Sequence, residues 1–272
     1  MKRLISFSVF CFAMAIAPFA HSQTSVVLPA GNDAIDFTTM EGNGGGESNA
    51  FGRFNNTVLT VYNASVVEAA GINVGDTLTG LSFRVDGGDV APNFTVDSFH
   101  IELGRSLNSA GSLVENDFGA NFDGGPNVVH TGSVDFAASD FEAVNPNNST
   151  GPANAFGPEI EFENDFAYTG GDLLIRYYTS DPLALDGVLT TSRADSVTTT
   201  FETPTFSEPG VFTLFGEGQN ANTRFTQGFG AAPAVAPVLQ FSVTPAPVPE
   251  PSSAALLMGI GLIGAVRRRR KK

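Results

Sequence analysis

The chain has 272 residues, 42% hydrophobic and 15% charged, with 30 Gly, 16 Pro and a single Cys. That apolar share supports a packed core and excludes wholesale disorder, while the low charge and high Gly content suit a loop-rich β protein. A formal charge of −14 excludes a general nucleic-acid binder, since neutralising phosphates takes a basic surface.

Residues 1–22 read as a secretory signal. Lys2 and Arg3 form a short positive region and Leu4 to Phe19 an apolar stretch. Ala20-His21-Ser22 then puts small residues three and one positions before a cut between Ser22 and Gln23. A cut after Ala20 places Pro18 at the minus-three position and fits less well. A membrane anchor is the competing reading, disfavoured because the apolar run falls short of the ~20 residues a span needs. Cys11 lies inside this segment. The mature chain then has no cysteine, which excludes disulfides, thiol nucleophiles and zinc–thiolate sites.

The body, residues 23–244, reads as one all-β domain. Thr57–Val67 is a strand candidate, with one short helical turn around Val66–Ala70. Leu81, Phe83 and Val85 alternate with Ser82 and Arg84; Phe99, Ile101 and Leu103 with His100 and Glu102; Ile160 and Phe162 with Glu159, Glu161 and Glu163. Each is a period-2 pattern with apolar residues toward a core and polar ones toward water. Val128–Phe136, Asp172–Thr179, Val197–Phe201, Val211–Phe215 and Val238–Val243 are further candidates. Turn signals such as Asp86-Gly87-Gly88-Asp89, Asp123-Gly124-Gly125-Pro126 and Gly170-Gly171-Asp172 separate them. The sum is a single antiparallel β-sandwich of jelly-roll type. Twenty of the 24 Phe remain after the signal is removed, enough aromatic rings to close one core without disulfides.

Between residues 23 and 247 there are six arginines, no lysine and 27 carboxylates, a formal charge of −21. Self-repulsion at that level keeps a secreted domain soluble. It also opposes adhesion to anionic polysaccharide or lipid unless a divalent cation bridges the two.

Candidate chemistry is sparse. After export only His100 and His130 remain, and no Gly-x-Ser-x-Gly is present, so a hydrolytic triad lacks its parts. His100 falls on a polar strand face and His130 among Val128 and Val129, where a packed ring is expected. A glycosidase needs two carboxylates across a cleft, and 27 acids make such a pair uninformative. No enzymatic activity is expected. Calcium is the one ligand with a sequence rationale. Asp86 and Asp89 flank two glycines, and Asp117, Asn121 and Asp123 fall within seven residues, placing hard oxygen donors on tight turns. Asx residues are also preferred turn formers, and that plainer reading needs no cofactor.

The C-terminal end is the most informative part. Residues 245–251 are a Pro-rich spacer ending in Pro249-Glu250-Pro251. Residues 252–266 contain the apolar stretch Ala254 to Val266, and residues 267–272 are Arg267, Arg268, Arg269, Arg270, Lys271 and Lys272. Six consecutive cations resist translocation and act as a stop-transfer signal on the cytoplasmic side. Thirteen apolar residues span only about 20 Å as a helix, against a hydrocarbon core of about 30 Å. Such a short transmembrane helix suits a temporary halt better than a permanent tail anchor.

This ordered arrangement resembles the PEP-CTERM sorting tail of Gram-negative exported proteins, a tail sometimes labelled an ice-binding protein C-terminal domain. The resemblance implies export through the Sec translocon, transient inner-membrane insertion, and recognition of Pro249, Glu250 and Pro251 by an exosortase. It further implies a final place at the cell surface or in extracellular (biofilm) matrix, with extracellular polysaccharide as a prospective partner. Tyr62-Asn63-Ala64-Ser65, Thr77 to Arg84, Asp117 to Asn121 and Gly171 to Ile175 are similar to passenger domains found on such proteins. Their function is unassigned, so this second likeness bears on fold alone. A calcium-dependent lectin-like adhesin and, less favoured, a secreted polysaccharide hydrolase are the alternative readings.

Overall fold

The computed structural model describes residues 22–31, 56–84, 93–141, 155–179, 196–198, 210–217 and 235–247. In chain order their elements are β1 (Thr24–Leu28), β2 (Asn56–Tyr62), α1 (Ala64–Ala69), β3 (Thr77–Phe83), β4 (Phe94–Arg105), β5 (Asn127–Phe136) and β6 (Ile160–Ala167). There follow β7 (Leu173–Thr179), β8 (Ser196–Thr198), β9 (Val211–Glu217), β10 (Val235–Pro237) and β11 (Leu239–Thr244). One antiparallel sheet has the order β1-β11-β3-β6 and a second the order β5-β4-β7-β2-β9, while β8 and β10 pair as a ribbon.

Side-chain alternation sets the faces. Phe99, Ile101 and Leu103 of β4 are fully buried, and they share one cluster with Leu81 and Phe83 of β3, Ile160 and Phe162 of β6 and Phe241 of β11. Both sheets therefore contribute to a single core. Phe83 stands edge-on to Tyr177 at 5.5 Å and to Phe99 at 6.1 Å between centroids. Each such aromatic pair adds about 0.5–1.5 kcal/mol beyond area burial.

The sequence candidate Thr57–Val67 divides at Asn63 into β2 and α1. Ala64, the first helical amide, donates to Asp172 Oδ1 at 2.8 Å, and Asn63 Oδ1 accepts from Ala110 N at 3.1 Å. Val67 is the buried residue of this six-residue helix. Gly71, at φ +100, turns the chain away where an L side chain would be strained.

The outer face of the larger sheet departs from the expected polar-out pattern. Leu59 and Val61 of β2, Leu174 of β7 and Phe212 and Leu214 of β9 form a second cluster, covered by Leu113, Phe118 and Phe122 from the segment after β4. Because this segment roofs the sheet, Glu102 is only 4% exposed rather than facing water. Arg84 and Ser82, also expected on a solvated face, are buried at 0% and 5% exposed, with the Arg84 guanidinium 5.2 Å from the Phe156 ring centroid. The glutamates in and just before β6 behave as expected, since Glu159, Glu161 and Glu163 are exposed.

Side chains of β6 satisfy two backbone groups on the open edge of β5. Thr131 N donates to Glu163 Oε1 at 3.4 Å, and Asn164 Nδ2 donates to Val128 O at 3.3 Å. Ladder groups satisfied this way are not free to template another chain.

Candidate functional site

Both ends of the described body leave the fold at one place. β1 begins at Thr24, one residue past the expected cleavage point, and Thr24 pairs with Val243 near the end of β11. Gln23 Nε2 donates to Thr79 Oγ1 at 3.0 Å, fastening the residue before β1 to β3. β11 occupies the interior of its sheet, between β1 and β3, and its last pair is Thr244 with Thr77.

Beyond that pair the chain is held once more. Ala246 N donates to Asp76 Oδ1 at 2.8 Å, while Asn73 N donates to Asp76 Oδ2 at 2.7 Å. The Asp76 carboxylate, on a residue 4% exposed, thus bridges its own turn and the chain's exit. Its backbone is fixed to the end of β6, since Tyr168 N donates to Asp76 O and Gly75 N to Tyr168 O, each at 2.8 Å. A Cβ at Gly75 would come within 3.1 Å of the Ala246 Cβ. That close approach explains a glycine here, as does its φ of +94. Asn73-Val74-Gly75-Asp76 announces a turn, but nothing local in the sequence reveals that Asp76 reaches residue 246.

Of the residues considered for calcium, Asp86 and Asp89 lie outside the described residues. Asp117 caps a 3-10 turn over Phe118–Asn121, its Oδ1 accepting from Ala120 N at 3.3 Å. Asn121 is fully buried and knits its loop together. Its Oδ1 accepts from Val114 N at 2.7 Å and Asn108 Nδ2 at 3.0 Å, and its Nδ2 donates to the carbonyls of Val114, Asp117 and Phe118. Asp123 faces Arg105 at 3.5 Å. Asp117 and Asn121 are thus employed in turn building and Asp123 in an ion pair. Among the described residues no group of three His, Cys, Asp or Glu is placed to hold a metal ion.

The histidines occupy opposite faces of the larger sheet. His100, outward on β4, stacks on Tyr178 with centroids 4.7 Å apart and planes 9° from parallel. Its nitrogens meet hydroxyls, Ser98 Oγ at 3.0 Å and Thr131 Oγ1 at 3.1 Å. Burial pulls this imidazole below its usual pKa; Glu102 opposes that shift, His130 adds to it and Glu163 opposes it. Both ring nitrogens are thus taken by hydroxyls rather than by a carboxylate. Beside it, Arg176 Nε donates to Glu102 Oε2 at 2.5 Å, and the guanidinium lies over Phe122 at 5.6 Å. His130 is 9% exposed with no hydrogen-bond partner on either ring nitrogen, Nδ1 standing 3.7 Å from Glu163 Oε1.

The residues before Ser22 that read as a signal, the motif Pro249, Glu250 and Pro251, and the cluster Arg267 to Lys272 lie outside the described residues. No helix among the described residues is long and apolar enough to cross a membrane. The family model of the PEP-CTERM protein-sorting motif matches residues 247–271, beginning one residue after the Asp76 contact. No curated protein and no solved structure matches the chain. The motif marks an exported protein, sorted at the membrane and processed by an exosortase, then placed at the cell surface or outside the cell.

Proposed function

We propose, from the PEP-CTERM sorting motif the chain carries, that it is a non-enzymatic component of the cell surface or extracellular matrix. The signal is removed between Ser22 and Gln23, and the body folds as a jelly-roll sandwich. The exosortase acts at Pro249-Glu250-Pro251 while Arg267 to Lys272 hold the tail on the cytoplasmic side. Strand order supports the jelly-roll reading, since β1-β11-β3-β6 faces β5-β4-β7-β2 with the chain crossing repeatedly between sheets.

The motif match over residues 247–271 is the observation that carries this reading. The acidic body fits an exported protein that remains soluble until it is delivered. Fractionating cells with and without the exosortase tests it, with the body located by antibody. The reading predicts a longer, membrane-bound form when the enzyme is missing. Identical size and location in both strains contradicts it.

A further inference from the structure

The geometry points to Asp76 as a brake on removal of the sorting tail. Its carboxylate clasps Ala246 N at 2.8 Å, which leaves only Pro247 and Val248 between the folded body and Pro249. A processing cleft takes in an extended stretch of backbone on both sides of the bond it attacks. Backbone that is paired or docked cannot enter, so access follows from the burial and hydrogen bonding of the residues around the target. Here the upstream side is paired through Thr244 and docked at Ala246.

The clasp is anchored from several directions. The second carboxylate oxygen holds Asn73 N, and the Asp76 carbonyl accepts from Tyr168 N, so the turn cannot drift with the tail. The downstream side is short as well. Seven residues lie between Ala246 and Ala254, where the apolar stretch begins, and the eight steps across them reach no farther than about 28 Å. The folded end therefore stays close to the bilayer while the tail is inserted, and the enzyme must work in the gap. Processing then proceeds through the fraction of molecules in which the clasp is open, because cleavage of a transiently opened site tracks its population.

This inference rests on the reading that an exosortase processes the tail. The test is a pulse-chase of the full-length chain in cells containing the exosortase. Four forms are compared: wild type, Ala246→Pro, a six-residue Gly/Ser insertion between Pro247 and Val248, and Glu250→Ala. Ala246→Pro removes the amide donor and leaves Asp76 in place, and the flanking prolines already favour extended backbone there. The insertion leaves every bond of the clasp intact and supplies free upstream residues, which no stability effect would imitate. Losing one hydrogen bond to a charged group opens the root about tenfold more often, so Ala246→Pro is expected to be processed about tenfold faster. The insertion is expected to be faster by a comparable factor, and Glu250→Ala to keep its tail. If either Ala246→Pro or the insertion is processed at the wild-type rate while Glu250→Ala remains blocked, the brake is refuted and the processing reading stands. A wild-type chain that never loses its tail overturns both.

Discussion

Replacing Glu102 by Leu tests whether the roofed face of the larger sheet is a true interior. Arg176 Nε and Glu102 Oε2 are 2.5 Å apart, and their side chains are 13% and 6% exposed. A solvated pair of this kind is worth about 0–1 kcal/mol. A buried one behaves differently, because removing one partner leaves the other charge desolvated at a cost of about 3–5 kcal/mol. For a domain of this size that corresponds to a fall in Tm of about 6–20 °C. The Arg176 guanidinium keeps its contact with the Phe122 ring, which favours the lower half of that range. The double variant Glu102→Leu/Arg176→Met removes both charges and is expected to recover most of the loss, since an apolar replacement of a buried pair is close to neutral. Thermal melts of the wild type and of both variants, followed by circular dichroism, supply the comparison. A fall below about 2 °C for Glu102→Leu, or a double variant no more stable than the single, would refute the idea that the segment after β4 seals this face.

Two further outcomes follow from the same face. Asn121→Ala strips the amide that satisfies Val114 N and three carbonyls, and is expected to lower stability by about 2–4 kcal/mol; an effect under 0.5 kcal/mol in urea melts would contradict a structural role. His100 has a depressed pKa, mainly from burial, so the folded state binds its proton less readily than the unfolded chain does. The stability it confers is complete above about pH 6.5 and is lost as the pH falls through the lower folded value. The loss of Tm between pH 7.5 and 5.5 should therefore be smaller in His100→Gln than in the wild type, and equal losses would oppose that assignment.

How much of this was legible beforehand varied with how many faces each strand buries. β4 and β6 have one face on the core, and Phe99-Ile101-Leu103 and Ile160-Phe162 announced them by strict alternation. β2 buries both faces, Val58 and Tyr62 inward and Leu59 and Val61 beneath the roof, so its run of apolar residues carries no period. Glu102 and Arg84 read as solvated because alternation records where a side chain points, not what lies over it. β1 was missed because Ser25-Val26-Val27-Leu28 is short and directly follows the stretch that reads as a signal. The tail was readable because its three parts are consecutive in sequence. Its root was not, since Asp76 and Ala246 meet only through folding, 170 positions apart.

The most direct test of the sorting account is the intact mass of the mature protein recovered from the cell surface or medium. The account predicts a chain that begins at Gln23 and has lost Arg267 to Lys272. A mature species that still ends in those six cations contradicts it.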